Sequence, residues 1–357
     1  MGSVFGNKVK ISIFGESHGT AIGVVIDGLP SGEAIDLEEV YRQMARRAPG
    51  NDKTATPRKE PDKPEILSGL LNGCTTGAPL AAVIYNTNTR SGDYGNIMTS
   101  PRPGHSDYTA YVRYGGFNDV RGGGHFSGRL TANMVFAGAV VRQILKRKGI
   151  EIAAHIYSIG NVCDKAFEPT GISRELIERL NGEKFALVDP DKEESMREEV
   201  ESARNAGDSI GGIVECIVQG MPVGIGEPMF GGVENIISAA VFGVPAVKGI
   251  EFGSGFAGSH TTGLNNNDEF YYDENGFVKT KTNNHGGALG GITSGMPILF
   301  RAAVKPTPSV SAEQKTVDLA AKSNTVLAVK GRHDPCIVPR AVSVIEAAAA
   351  IAVINMI

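Results

Sequence analysis

The chain has 357 residues, 46 of them glycine, and 35 Lys+Arg against 39 Asp+Glu give a formal charge of -4. Glycine is well above its usual ~7% share, but no Gly-X-Y period runs through the chain, which excludes a collagen-like fibre. At 41% apolar and 21% charged residues it is too hydrophobic for a disordered chain, and its near-neutral balance argues against a nucleic-acid binder.

Residues 9–14 and 22–28 run apolar and β-branched and are predicted strands. Asp36 begins a predicted helix with Leu37, Val40, Tyr41 and Met44 on one face. Arg46 and Arg47 fill its last turn, and Pro49-Gly50 stops it. Residues 51–64 are polar with three prolines, which predicts an exposed loop. Leu80 to Tyr85 reads as a buried strand. From 86 to 128 the sequence predicts mostly loop, and so long a loop in a compact domain is usually functional. A long helix is predicted over 129–148, with Met134, Val135, Ala137, Val141, Ile144 and Leu145 inward and Lys146-Arg147-Lys148-Gly149 closing it. Residues 172–181 and 190–206 are predicted helices, the second a solvated charged face. A strand is predicted over 213–219, and Pro339 opens an Ala-rich helix to about 354.

No apolar run approaches the roughly 18–20 residues of a membrane span, and the stretch from Ala347 to Ile357 is too short. The N-terminus lacks a basic-then-apolar signal pattern. Cys74, Cys163, Cys216 and Cys336 are scattered, with no C-x-x-C pair. Buried or free thiols in a reducing cytoplasm are therefore expected.

A faint repeat links the two halves. Gly28-Leu29-Pro30-Ser31-Gly32 is echoed by Gly220-Met221-Pro222-Val223-Gly224, each after a predicted strand. Thr76-Gly77-Ala78-Pro79-Leu80 is echoed by Ser294-Gly295-Met296-Pro297-Ile298, in the same order. Coincidence in a Gly-rich chain and a duplicated strand–turn unit both remain open at this point.

Chemistry concentrates in glycine-crowded loops. His18 lies in Gly15-Glu16-Ser17-His18-Gly19, His105 in Arg102-Pro103-Gly104-His105-Ser106-Asp107, and His125 after Gly122-Gly123-Gly124. His333 lies in Gly331-Arg332-His333-Asp334-Pro335. A loop histidine can move a proton near neutral pH, and flanking glycines let a backbone approach a ligand. The alternative is a solvated histidine in a simple turn. His260 and His285 sit in looser Gly/Asn contexts, and His155 reads as a packed residue. Arg46, Arg47, Arg102, Arg121, Arg129 and Arg332 recur nearby. If they converge, the ligand is a multiply charged anion; otherwise they are unrelated ion pairs. The 122–128 run is neither a dinucleotide fingerprint nor a P-loop. It leads into a helix N-terminus suited to an anion. No His-x-x-x-His or Glu-x-x-His spacing supports a metal site.

Taken together these motifs resemble chorismate synthase. The resemblance is collinear from about residue 8 to 350. It also includes Arg47-Ala48-Pro49-Gly50, Ala246-Val247-Lys248-Gly249, Asn284-His285-Gly286-Gly287 and Lys305-Pro306-Thr307. It implies an α+β fold, a β-α-β sandwich with helices between two antiparallel sheets and an internal pseudo-twofold repeat. It also implies one domain over 1–357 and a homotetramer. The implied reaction is a 1,4-anti elimination of phosphate from 5-enolpyruvylshikimate 3-phosphate to chorismate, the last shikimate-pathway step. The implied cofactor is reduced FMN, with NADPH entering only indirectly as reductant of the flavin, through an external flavin reductase.

By the same resemblance Arg47, Arg102, Arg129 and Arg332 bind the substrate's anionic groups. His18 is the acid for the departing phosphate, and His105 compensates the charge of the reduced flavin. Asp334 receives the substrate proton by way of the flavin, supported by Ser17 and Ser127. Flavin contacts are implied for His125, Phe126, Ser127, Pro245, Ala246, Gly290, Lys305, Pro306, Thr307, Pro308, Ser309 and Arg332. Arg47 and Lys53 match positions tied to nicotinamide-nucleotide binding. One segment departs from the family pattern. Arg-Ser-Ser-Ala-Arg-Glu-Thr is here His125-Phe126-Ser127-Gly128-Arg129-Leu130-Thr131. Two outcomes are open: FMN affinity is weakened, or protonated His125 replaces the lost arginine, in which case FMN binding tightens below about pH 6.5. Two other functions compete: a paralogue that binds flavin or phosphoester without catalysis, and a phosphatase-like hydrolase.

Overall fold

The computed structural model describes residues 2–49, 62–87, 97–329 and 334–357. The first half runs β1 (Val4–Phe5), β2 (Lys10–Gly15), β3 (Ala21–Asp27), α1 (Leu37–Arg47), β4 (Glu65–Ser68), the hairpin β5 (Leu70–Leu71)–β6 (Cys74–Thr75), β7 (Leu80–Tyr85), α2 (Asp107–Tyr114) and α3 (Thr131–Arg147). The second begins with β8 (Glu151–Ile159), β9 (Val162–Cys163), α4 (Arg174–Gly182), α5 (Glu193–Asn205), β10 (Gly212–Gln219), α6 (Val233–Phe242), β11 (Val247–Phe252) and α7 (Gly263–Asn266). It continues with β12 (Phe270–Tyr272), β13 (Val278–Thr280), β14 (Ala288–Leu289), β15 (Ile292–Thr293), β16 (Ile298–Val304), β17 (Gln314–Asp318), β18 (Ser323–Leu327) and α8 (Val338–Met356).

The strands form two antiparallel five-stranded sheets, β1-β2-β3-β7-β4 and β11-β16-β10-β8-β9. The first sheet buries one face, whereas β8 and β10 at the middle of the second are buried on both. Ile22, Val24 and Ile26 pair with Ile84, Ala82 and Leu80, and all six are buried. In the other sheet Val214, Cys216 and Val218 pair with Ala302, Phe300 and Ile298, again all buried. Helices α1, α3, α6 and α8 fill the space between, with α3 against α8 at the centre. There a Cβ on Gly138 would lie 2.3 Å from Ala347 Cβ. The small residues of this crossing set how closely the two halves approach.

The repeat is a duplicated unit. Strands β2, β3, β7 and β4 take the same places in their sheet as β8, β10, β16 and β11 in theirs. Helices α1 and α3 correspond to α6 and α8. The match reaches single hydrogen bonds. Thr75 Oγ1 donates to Pro30 O at 2.6 Å and accepts from Glu33 N at 2.9 Å. Thr293 Oγ1 donates to Pro222 O at 2.6 Å and accepts from Ile225 N at 2.9 Å.

Three expectations need correction. The 86–128 stretch contains α2, closed by Gly115 at φ 61°. It was unreadable as a helix because only Asp107 and Ala110 are buried on it, so no apolar stripe marks it. The loop expected to be exposed contributes a buried Asp62, 1% exposed, at its end; residues 51–61 lie outside the described residues. Helix α8, at 19 residues, is long and apolar enough to span a bilayer, but 83% of its apolar window is buried inside the protein. It is the core helix of the second half. All four cysteines are free.

Candidate active site

A cavity of about 1040 Å³ opens where the loops of both halves meet the ends of α1, α3, α6 and α8. The first half supplies Ser17 and His18 after β2, Arg47 at the end of α1, Arg102 and His105 before α2, and Ser127 and Arg129 before α3. The second supplies Pro245 and Ala246 after α6, Lys305, Thr307, Pro308 and Ser309 after β16, and Asp334 and Arg340 around the start of α8.

The triple glycine makes room for the polar wall. Gly122 has φ 59°, and a Cβ there would meet His18 Nε2 and Ser17 Oγ, each at 2.8 Å. A Cβ on Gly123 would lie 3.3 Å from His105 Nε2. The Ser17 amide donates to Gly124 O at 3.1 Å, pinning the β2 loop to the glycines. Ser17 Oγ is buried with no hydrogen-bond partner among the described residues. A buried hydroxyl left unpaired costs about 1–3 kcal/mol, and this one belongs to a residue of the cavity wall.

The arginines are held by carboxylates. Asp62 bridges two of them: Arg47 Nη1 donates to Oδ2 at 2.6 Å, and Arg129 Nη1 donates to Oδ1. Burial would raise the Asp62 carboxyl, but the two guanidiniums hold it below its ordinary value. Burial pushes Arg47 down to about 10 despite Asp62. Arg102 forms a fork on Asp107, with Nε to Oδ2 at 2.7 Å and Nη2 to Oδ1 at 2.8 Å, and reaches Ser309 Oγ at 3.0 Å.

His105 Nδ1 lies 2.6 Å from Asp107 Oδ1. That contact places the proton on Nδ1, even though Arg102 also approaches this nitrogen at 3.1 Å. Nε2 keeps a lone pair on the cavity side. Burial, Arg102 and Lys305 push the imidazole below its ordinary value, against the pull of Asp107. The Lys305 ammonium donates to Gly104 O at 2.7 Å and is pushed down by burial and by Lys248. Asp334 Oδ2 accepts from Arg340 Nη1 at 2.9 Å.

The family model described as "Chorismate synthase" matches residues 9–357. The chain belongs to the chorismate synthase family. It is 45% identical to the chorismate synthase of Dehalococcoides mccartyi, over 97% of this chain and 94% of that one. It is 47% identical to that of Thermococcus kodakarensis, over 97% and 94%. With that of Lachnospira eligens it shares 47% over 100% and 95%. A solved structure entitled "Crystal Structure of Chorismate Synthase" superposes with a TM-score of 0.76 at 26% identity, covering 99% of this chain and 92% of that one.

Not every residue expected from the chorismate synthase motifs reaches the cavity. Gly290 sits on the β14–β15 turn, beside Gly291, which packs on Gly232 ahead of α6. The opposite end of α6 lines the cavity, and a helix of 10 residues is about 15 Å long. Pro306 packs beside Gly211 instead. Lys53, Arg332 and His333 lie outside the described residues. Arg46 is committed to the helix layer, with Nη2 3.0 Å from Glu346 Oε1, which Arg142 also braces. Arg121 pairs at the surface with Asp119.

His125 lines the cavity without a ring nitrogen to spare. Nδ1 lies 2.8 Å from Gly15 O, and Nε2 lies 2.8 Å from Ser3 Oγ. Its role as a substitute cation for a flavin phosphate does not fit that arrangement. His155 is buried but also charged, held between Asp164 and Glu215. His285 joins Asp268 through Nδ1 and Ser294 Oγ at 2.9 Å. Asp268 also accepts from Asn284 N at 2.8 Å and His285 N at 2.9 Å, so this Ser–His–Asp set ties the loop to its hairpin.

Sequence reasoning missed Asp62, Arg340 and the end of α6. One signal was available for Arg340. A cation in the first turn of a helix opposes the macrodipole, and such a local rule violation flags function.

Proposed function

We propose that this chain converts 5-enolpyruvylshikimate 3-phosphate to chorismate in this cavity, with reduced FMN bound beside the substrate. The observation that carries the reading is a wall whose cations outnumber its carboxylates. Arg47, Arg102, Arg129, Arg340, Lys248 and Lys305 line the cavity, and among the described residues Asp62, Asp107 and Asp334 pair with four of them. Such a wall suits a ligand carrying several negative charges. The volume is at the upper end for one small-molecule site, which suits two ligands side by side.

The unpaired Ser17 hydroxyl, the glycine floor and the half-exposed Phe126 at the wall fit a flat cofactor lying against the backbone. Phe126, Ser127, Pro245, Ala246, Lys305, Thr307, Pro308 and Ser309 would hold it. When bound, reduced flavin supplies the electron density that the elimination needs. The chain's own groups do the rest. Arg47 and Arg129, held rigid by Asp62, bind the anionic groups without reorganising. His18 gives a proton to the departing phosphate oxygen. His105, pushed below its ordinary value in the free enzyme, gains a proton as the anions arrive. Asp334 takes up the substrate proton, with Ser17 and Ser127 completing the hydrogen-bonded path.

We also read residues 1–357 as one domain, because α3 and α8 from opposite halves share a core. A cytoplasmic homotetramer, with NADPH acting only through an external flavin reductase, completes the reading. The test is an anaerobic assay with reduced FMN and 5-enolpyruvylshikimate 3-phosphate. Chorismate and phosphate should appear together. Phosphate alone would mean hydrolysis, and neither product would mean binding without catalysis.

A further inference from the structure

Arg340 was not among the expected site residues, yet it joins three parts of the cavity wall. It sits in the first turn of α8 (Val338–Met356), where a positive charge opposes the helix dipole. Its Nη1 donates to Asp334 Oδ2 at 2.9 Å, and its Nε donates to Arg47 O at 2.9 Å. Arg47 is the last residue of α1, where helical carbonyls lack intrahelical partners. Arg47's own guanidinium is turned to Asp62, which also holds Arg129. A planar fork on a short stem thus spans from the carboxylate of the second half to the anion-binding end of the first. A lysine, with one point charge, cannot make both contacts in fixed directions. The Asp334 backbone is held too, by Thr307 Oγ1 donating to its carbonyl at 2.8 Å. Asp334 is thus held at its carbonyl by Thr307 and at its carboxylate by Arg340.

We propose that Arg340 is a positioning residue for the elimination. It aims the Asp334 carboxylate into the cavity and, through the Arg47 carbonyl, keeps it in register with the arginines that bind the anions. This rests on the proposed role of Asp334 as the group that takes up the substrate proton. Arg340 acts through Asp334, so its loss slows the chemical step more than it weakens binding.

The experiment is a double-mutant cycle on single-turnover rates, with full-length enzyme, reduced FMN and 5-enolpyruvylshikimate 3-phosphate. Arg340→Gln should lower kcat about tenfold to a hundredfold, the scale of a misplaced group about 1 Å from its productive position. KM should change by less than about threefold, because Arg47 and Arg129 keep their Asp62 brace. Arg340→Gln combined with Asp334→Asn should be no slower than Asp334→Asn alone. Arg340→Lys should recover part of kcat, and added guanidinium should rescue Arg340→Ala but not its Asp334→Asn double. If Arg340→Gln does not fold, Arg340→Lys carries the same cycle. Multiplying rate effects in the double variant would overturn the proposal while leaving the role of Asp334 intact. Full kcat in Asp334→Asn would remove that role, and the proposal with it. A change in KM alone would make Arg340 a substrate-binding group instead.

Discussion

Two histidines in this fold are each set among carboxylates and cations, and they are shifted in opposite directions from the ordinary imidazole value. His155, on β8, is sealed in the second half. Nδ1 is 2.8 Å from Asp164 Oδ2 and Nε2 is 3.0 Å from Glu215 Oε2. Burial alone would discharge it, but the two carboxylates raise it above its ordinary value. Glu215 is held in turn by Arg301, Nε to Oε1 at 2.8 Å. His105, on the cavity wall, has one carboxylate against Arg102 and Lys305, and these cations join burial in pushing it down. The same ingredients favour the charged imidazole where carboxylates outnumber cations and the neutral one where cations prevail.

The largest expected effect separates the two directly. His105→Ala should lower kcat by about 10²–10⁴, the usual range for a group that moves or balances a proton. Its thermal midpoint should barely move. Equal loss in both quantities would make His105 a structural residue. Glu215→Gln should do the reverse. Breaking a buried ion pair from one side typically costs about 3–5 kcal/mol, measurable by urea unfolding, with kcat of the folded fraction retained.

The pH dependence sharpens the same contrast. His155 is raised in the folded state, so its contribution is complete below the unfolded value of about 6.5. It is lost as pH rises through the higher native value. The unfolding free energy of the wild type should fall relative to His155→Gln across that interval; parallel curves would refute the clamp. His105 has the opposite sign. Its contribution is present above about 6.5 and is lost as pH falls below that value. Binding of the phosphoester should therefore be accompanied by proton uptake near neutral pH. Calorimetry in buffers of different ionisation enthalpy would show this, and the uptake should shrink in His105→Asn.

The smallest effect concerns His125. Because both ring nitrogens serve Gly15 and Ser3, His125→Ala should change FMN affinity by less than about threefold, since no charge contact to the ligand is lost. The affinity should not tighten selectively below pH 6.5. A flavin titration from pH 5.5 to 8 checks it, and a steep gain in the wild type alone would restore His125 as a flavin ligand.

Much of the scaffold was legible in the chain. The strands around 9–14, 22–28 and 213–219 follow from their apolar, β-branched runs, and Asp36 caps α1 as expected, accepting from Glu38 N at 2.9 Å. The Gly-Pro echoes pointed to the duplicated hairpins. Helix α6 and the partners of β10 were not picked out, because continuous apolar runs carry no period to tell helix from strand. Three of the motif histidines, His18, His105 and His125, and three of the motif arginines did converge on one cavity, but most of their partners were not legible. Asp62 comes from a stretch that reads as solvated, and Arg340 is marked only by a cation in a first helical turn, against the dipole.

By itself the sequence determined local conformation and chemical inventory: which segments alternate, where glycine permits a left-handed turn, and which loops carry imidazole and guanidinium. Those depend on residues close together in the chain. Only the tertiary structure decided what each group does. Arg46 and Arg47 are adjacent in α1, yet one is consumed by Glu346 in the core and the other faces the cavity on Asp62. His105 takes Arg102 and Asp107 from its own loop, but its burial and Lys305 come from folding, as do the burial and the Glu215 carboxylate of His155. Protonation and direction are set by burial and by charges within a few ångströms, and across most of this site those charges lie far away along the chain.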